Sequence, residues 1–259
     1  MRMEHKPYIA EEYWDSVAIT IKNRDKKSLI AGDDEPYYSY KRKKFLKLLH
    51  SISFHSKKVL EIGCGPGGNL IELVKDRPEL LAGVDISNEM VRLSKELLGD
   101  QAEIIKINGT TLPFGANHFE IVFTSTVLQH ITDESILSDL VKEICRVSLK
   151  DVYIFEGVEK KRKQNLSNVG RTINEYLRLF QANNFLLEEV KFLNMHWSWL
   201  VCGTIRRVFN SRKRKEGEKE TDVSRLFQRI VLVITKPLDE LFPIQRDLAM
   251  LHFKKINSL

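Results

Sequence analysis

The chain has 259 residues and a mass of 30.1 kDa, enough for one α/β domain with additions or for two small domains. Its 42% apolar and 29% charged residues exclude wholesale disorder, and no run of 18 uninterrupted apolar residues marks a transmembrane helix. A net charge of +6 suits nucleic acid, a membrane surface or an acidic substrate, but no zinc knuckle or RNP-like aromatic pattern accompanies it, so no nucleic-acid partner is expected.

The N-terminal stretch MRMEHKPYIAEEYWD lacks the apolar segment of a secretory signal. The three cysteines, Cys64, Cys145 and Cys202, are odd in number and far apart, which predicts neither a disulfide framework nor a metal cluster. A reducing, cytoplasmic setting is expected. Residues 1–56 read as two helices, around 13–21 and 40–52, joined by a polar turn at 31–36. Strand and helix signals then alternate. Strands are predicted at 57–62, 80–86, 102–107, 118–124, 151–156 and 185–192. Helices are predicted at 69–76, from the N-cap Ser87 to the stop at Gly99, at 133–147 and at 172–182. This order predicts a three-layer, Rossmann-like α/β core with a mostly parallel sheet and helices on both faces. Residues 194–245 break the alternation with an aromatic patch (His196, Trp197, Trp199), a charged stretch at 211–220 expected to be a flexible surface loop, and an apolar run at 230–234. Residues 248–256 read as a final strand.

The chemistry concentrates in KKVLEIGCGPGGNL, residues 57–70. A strand running into glycines and then a helix puts backbone N–H groups at the carboxyl edge of a sheet, where a ligand can approach closely. Asp85 ends the next strand, 20 residues after Gly65, where a carboxylate can accept from both ribose hydroxyls of an adenosine. The loop fits two templates. Gly63-x-Gly65-x-x-Gly68 is the dinucleotide pattern, and Glu61-x-Gly63-x-Gly65-x-Gly67 is the pattern of a loop holding S-adenosylmethionine. Glu61 discriminates between them. A carboxylate there repels a pyrophosphate but answers the ammonium and sulfonium of S-adenosylmethionine, and it is costly to bury without a partner. On this reading Gly68 is a helix-packing residue.

VLEIGCGPGGNL, then GVDIS at 83–87, then INGTTLPFGANHFEIVFTSTVLQHI at 107–131, resemble the successive motifs of class I S-adenosylmethionine-dependent methyltransferases of the small-molecule type. The resemblance covers about residues 55–195 and implies a seven-stranded sheet, the last strand antiparallel beside the fifth. It also implies that Glu61, Gly63, Cys64, Gly65 and Gly67 contact the methionine end of the cofactor, that Asp85 holds the ribose, and that Ile86 packs on the base. Asn108 and Gly109 fall at the adenine amino group, where the family usually has an Asp. An amide oxygen can still accept there. Thr124, Ser125 and Val127 would line the methyl-transfer face and Gln129 would touch the cofactor. His130, where small-molecule members often carry a histidine, would be the general base for a hydroxyl acceptor or would cap the next helix.

The resemblance divides the chain into an N-terminal helical lid or extension (1–56), a cofactor-binding core (57–193), an acceptor-side insertion or cap (194–247) and a final core strand and tail (248–259). Tyr13, Trp14, Tyr37, Tyr38 and Tyr40 are candidates for closing over the cofactor, and Lys41 or Arg42 for reaching its carboxylate. The insertion, with apolar positions next to Arg206 and Arg207 and a second candidate over 226–242, is expected to serve as a lid, a homodimer surface or a peripheral membrane contact. The expected acceptor is a hydroxyl, or next an amine, of a small metabolite, sugar or lipid-linked intermediate. The alternatives are an NAD-dependent oxidoreductase and a catalytically silent adenosine-binding partner protein.

Overall fold

The computed structural model describes residues 8–22, 35–211, 213–214, 218–245 and 247–256. The turn expected at 31–36 falls largely outside these residues. Strands β1 (Lys58–Ile62), β2 (Leu80–Asp85), β3 (Glu103–Lys106), β4 (Phe119–Ser125), β5 (Ser148–Val158), β6 (Phe185–Phe192) and β7 (Asp247–Lys255) form one sheet in the order β3-β2-β1-β4-β5-β7-β6. β1 to β5 pair in parallel, and β7 runs antiparallel to both β5 and β6.

Side chains alternate across this sheet, so each face carries its own core. Leu60 and Ile62 of β1 join α5 (Glu134–Val147) and α6 (Ile173–Gln181) on one face. Val59 faces the other way, with α2 (Pro36–Leu49), α3 (Leu70–Leu73) and α4 (Asn88–Leu98). Phe45 and Leu49 of α2 are buried on this second face, where Phe45 meets Phe155 at 5.0 Å in an edge-on contact. The predicted N-cap Ser87 recurs, and the structure adds caps at Asp133 and Thr172. Ser87 accepts from Met90 N, Asp133 accepts from Ser135 N and Ile136 N, and Thr172 with Glu175 forms a capping box.

Helix α1 (Ala10–Lys22) lies against α4 at the sheet's carboxyl edge: Asp15 accepts from Ser87 Oγ at 2.5 Å and from Glu89 N at 3.1 Å. The insertion is a helical hairpin of α7 (His196–Phe209) and α8 (Asp222–Leu241). The connecting stretch, expected as a flexible surface loop, is anchored at two of its described residues. Glu220 is buried, its amide donates to Glu35 Oε1, and Arg214 bonds the same oxygen at 2.7 Å. Residues 212 and 215–217 of that stretch lie outside the described residues.

Candidate functional site

The glycine loop follows β1, and three of its residues take positive φ: Gly63 (68°), Gly65 (53°) and Gly67 (85°). A side chain at Gly63 would place Cβ 2.4 Å from Val127 Cγ2, so the loop leaves no room there. Gly65 N donates to Asp85 Oδ2 at 2.8 Å, which joins loop and acid before any ligand is considered. Close approach to a helix falls at Gly67, where a Cβ would meet Ser94 Oγ of α4 at 2.7 Å. Gly68 instead presents its carbonyl to Arg42. Gly67 thus makes a close helix contact of its own beside the buried Gly68.

Glu61 is buried on the α2 face. Asn69 Nδ2 donates to its Oε1 at 2.6 Å, Arg42 donates to Asn69 Oδ1, and Glu61 Oε2 has no partner. Burial pushes the Glu61 carboxyl up to about 8, with Asn69 and Arg42 pulling the other way. Arg42 therefore stands at the glycine loop. Asp85 accepts Ser87 N at 2.9 Å as well as Gly65 N, and burial still raises its pKa. The Cys64 side chain turns into the core toward Gly83, and burial holds its thiol well above the usual range, so only its backbone borders the loop.

Ile86 is half-buried after β2. Asn108 and Gly109 are exposed after β3, and Lys106 Nζ donates to Asn108 Oδ1 at 2.6 Å. Thr124 is buried, and its hydroxyl donates to Glu156 Oε1 at 3.1 Å, so its side chain faces the core below the edge. Ser125 and Val127 remain half-buried at the edge, with Thr126 between them at φ 57°.

Glu156 of β5 is the residue that sequence reasoning missed. It is fully buried and accepts from Val127 N and Leu128 N through Oε1, each at 3.0 Å, and from Gln129 N through Oε2 at 3.1 Å. Burial pushes it up to about 7 against these donors. It caps the short 3-10 turn Leu128–His130 from across the sheet. Arg171, equally buried, clamps the other end. It donates to Leu128 O at 2.8 Å and Ile131 O at 2.7 Å, and pairs with Glu134. Neither had a local signal: one is a strand acid, the other precedes a helix cap.

This turn carries His130. Its Nδ1 lies 3.0 Å from Ser167 O, in a short hairpin at 163–170 that was not predicted, and the carbonyl assigns the proton to Nδ1. Gly157 N donates to Gln129 Oε1 at 2.9 Å, which leaves Gln129 Nε2 facing His130 Nε2 at 3.3 Å. Trp14 of α1 covers the imidazole edge-on at 5.2 Å. The expected aromatic lid is split. Trp14 and Tyr13 stand at this edge, whereas the Tyr37 and Tyr38 rings lie under Arg206 of α7 and Tyr40 lies under Lys236 of α8. The described residues hold no cluster of three or more metal-ligating side chains.

Residues 59–151 match the family model described as "Methyltransferase domain". Demethylmenaquinone methyltransferase of Roseiflexus castenholzii is 33% identical over 78 residues, which are 29% of this chain and 33% of that enzyme. The match thus spans about a third of the length of this curated relative. Among solved structures, the magnesium protoporphyrin IX methyltransferase of Synechocystis PCC 6803 with bound S-adenosylmethionine is similar over 95% of both chains, with a TM-score of 0.58 and 13% identity. The [4+2]-cyclase SpnF is similar over 84% of this chain and 82% of its own, with a TM-score of 0.59 and 13% identity. At these identities the structures show the fold, and the cyclase shows that this fold need not mean methyl transfer.

Proposed function

We propose that this chain, built around a class I S-adenosylmethionine-dependent methyltransferase domain, methylates a hydroxyl group of a small-molecule, sugar or lipid-linked acceptor, with an amine as the next choice. The cofactor supplies a methyl carbon already activated by a sulfonium, so the chain's work is to hold it, align the acceptor and take its proton. The observation that carries the cofactor reading is the orphaned Oε2 of buried Glu61 behind a glycine loop. A buried carboxylate oxygen without a donor is costly, and an ammonium is the donor it lacks. A pyrophosphate has no cationic donor to offer that oxygen, which disfavours the dinucleotide alternative.

In this reading the backbone of Gly63, Cys64, Gly65 and Gly67 cradles the methionine end. Asp85 accepts the ribose hydroxyls with the lone pairs that Gly65 and Ser87 leave, and Ile86, Asn108 and Gly109 border the adenine. Val127 and Gln129 face the cofactor, and Thr124 supports that face through Glu156 rather than lining it. α1 is the lid. His130 is the base, because Ser167 O holds the proton on Nδ1 and leaves Nε2 with its lone pair, contacted by Gln129 at the long end of hydrogen-bond range.

Calorimetry tests the assignment. S-adenosylhomocysteine binds and NADH does not, and Asp85→Ala weakens S-adenosylhomocysteine by about tenfold or more. Wild-type affinity in Asp85→Ala sinks the ribose assignment. With tritiated S-adenosylmethionine and a panel of hydroxyl and amine acceptors, His130→Ala loses about 100-fold or more in kcat on hydroxyls while keeping S-adenosylhomocysteine affinity.

A further inference from the structure

Helix α8 is built inside out. Its buried face is largely polar: Ser224, Gln228, Thr235 and Asp239 point into the protein beside Leu232. These groups are used. Thr235 Oγ1 accepts from Ser198 Oγ of α7 at 2.9 Å, Asp239 Oδ1 accepts Trp197 N at 2.9 Å, and Ser224 Oγ donates to Glu220 at 3.0 Å. The solvent side carries the large apolar residues at i, i+3, i+4 and i+7 spacing: Val223, Leu226, Phe227, Ile230, Val233, Ile234 and Leu241. Ile230 is 54% exposed, Val233 74% and Ile234 65%, and Phe209 of α7 extends the stripe by stacking on Phe227 at 5.0 Å. A helix held by polar contacts with its apolar stripe outward is the reverse of a surface helix in water.

We infer that this stripe docks the protein on the surface of an anionic lipid bilayer. Charge supplies the choice of occupant. From 206 to 236 the sequence has ten Lys and Arg against four Asp and Glu, and one of those acids, Glu220, is buried. Arg225, Arg229 and Lys236 share one flank of α8, and the exposed acids Asp222 and Glu240 pair with Arg225 and Lys44. A two-fold contact between copies would set this basic flank against itself, whereas anionic headgroups neutralise it. No helix among the described residues is long and apolar enough to cross a membrane, so α8 lies in the interface rather than spanning it.

The placement has a topological reason. β6 runs parallel to β1–β5 and β7 runs against them, so the hairpin leaves and rejoins the sheet at the carboxyl edge, the edge of the glycine loop. α2 joins the two directly, with Arg42 on Gly68 and Asn69, and Tyr37 and Tyr38 under Arg206. Docking therefore brings the candidate site to the bilayer. The inference does not rest on methyl transfer, because the binding is measured without cofactor or acceptor.

The test is co-sedimentation of the full chain with vesicles of phosphatidylcholine alone or mixed with phosphatidylglycerol, at low and physiological salt. The protein sediments with the mixed vesicles, and binding falls as salt rises. Ile230→Ser with Ile234→Ser weakens it by about tenfold or more, and Arg207→Gln with Arg229→Gln by a few-fold, while the circular dichroism melt stays unchanged. A second measurement does not depend on those variants. Val233→Cys labelled with a polarity-sensitive dye shifts to the blue on the mixed vesicles. No sedimentation together with no blue shift overturns the inference. So does a dimer that the Ile230→Ser/Ile234→Ser protein loses, if vesicles are not bound.

Discussion

A carboxyl held neutral cannot receive a cation as well as an ionised one, and burial holds Glu61 neutral up to about pH 8. Below that pH an incoming ammonium must expel the Glu61 proton. S-adenosylhomocysteine affinity should therefore rise between pH 6 and pH 8 by up to about tenfold per unit, with about one proton released. Calorimetry in buffers of different ionisation enthalpy counts that proton, and Glu61→Gln abolishes both effects. The type and place of Glu61 were legible in the sequence as the discriminating residue of the loop. Its state was not, because the Asn69–Arg42 relay and the depth of burial come from α2 packing across the sheet face. Gly63 follows the same pattern. The glycine was evident, yet what forbids a side chain there is Val127, brought against it from the far end of β4. Gly63→Ala combines positive φ with that clash, and should lower stability by about 1–3 kcal/mol in urea titrations and weaken cofactor binding.

The loop from β4 into α5 is held by two residues distant in sequence. Glu156 receives three backbone N–H groups from it and Arg171 donates to two of its carbonyls. Glu156→Ala strands those buried donors and should cost about 2–4 kcal/mol by chemical denaturation, with Glu156→Gln less severe. Arg171→Met should cost a similar amount, because Ile131 O loses the guanidinium and Leu128 O keeps only the long bond from Ile131 N at 3.3 Å. Both variants also misplace His130, so loss of methyl transfer should exceed loss of S-adenosylhomocysteine affinity. The elements themselves were readable. Ser87 announced the start of α4, since capping is local chemistry within three residues, and the apolar spacing over 133–147 announced α5. The 163–170 hairpin that supplies Ser167 O follows the basic run 160–163 and has no apolar alternation to announce it.

Three helical pieces meet away from the sheet at Glu35 and Glu220, where α2 begins and the α7–α8 connection ends. Burial and the neighbouring Glu220 push the Glu35 carboxyl up to about 7, with Arg214 opposing. The folded chain keeps this proton to about pH 7 while the unfolded chain loses it near 4.5, so this contribution to stability is complete below 4.5 and is lost as pH rises through 7. Glu156 has the same sign. Tm should accordingly fall from pH 6 to pH 8, and Glu35→Gln should shrink that fall; an unchanged pH slope in this variant removes the junction from the account. The alternation of strands and helices through the core, the glycine loop and the place of Asp85 were determined by the sequence alone, because periodicity and glycine spacing act over a few residues, whereas the antiparallel last strand followed only from the family resemblance. Tertiary structure alone decided that Thr124 turns down to Glu156, that the aromatics divide between two surfaces, and that α8 shows its apolar side to solvent. The sequence can state that a helix is two-sided, but which side faces inward depends on the polar groups that α7 offers it. Likewise a buried acid acquires its role only when the sheet brings its partners, 27 to 29 positions away, within hydrogen-bond reach.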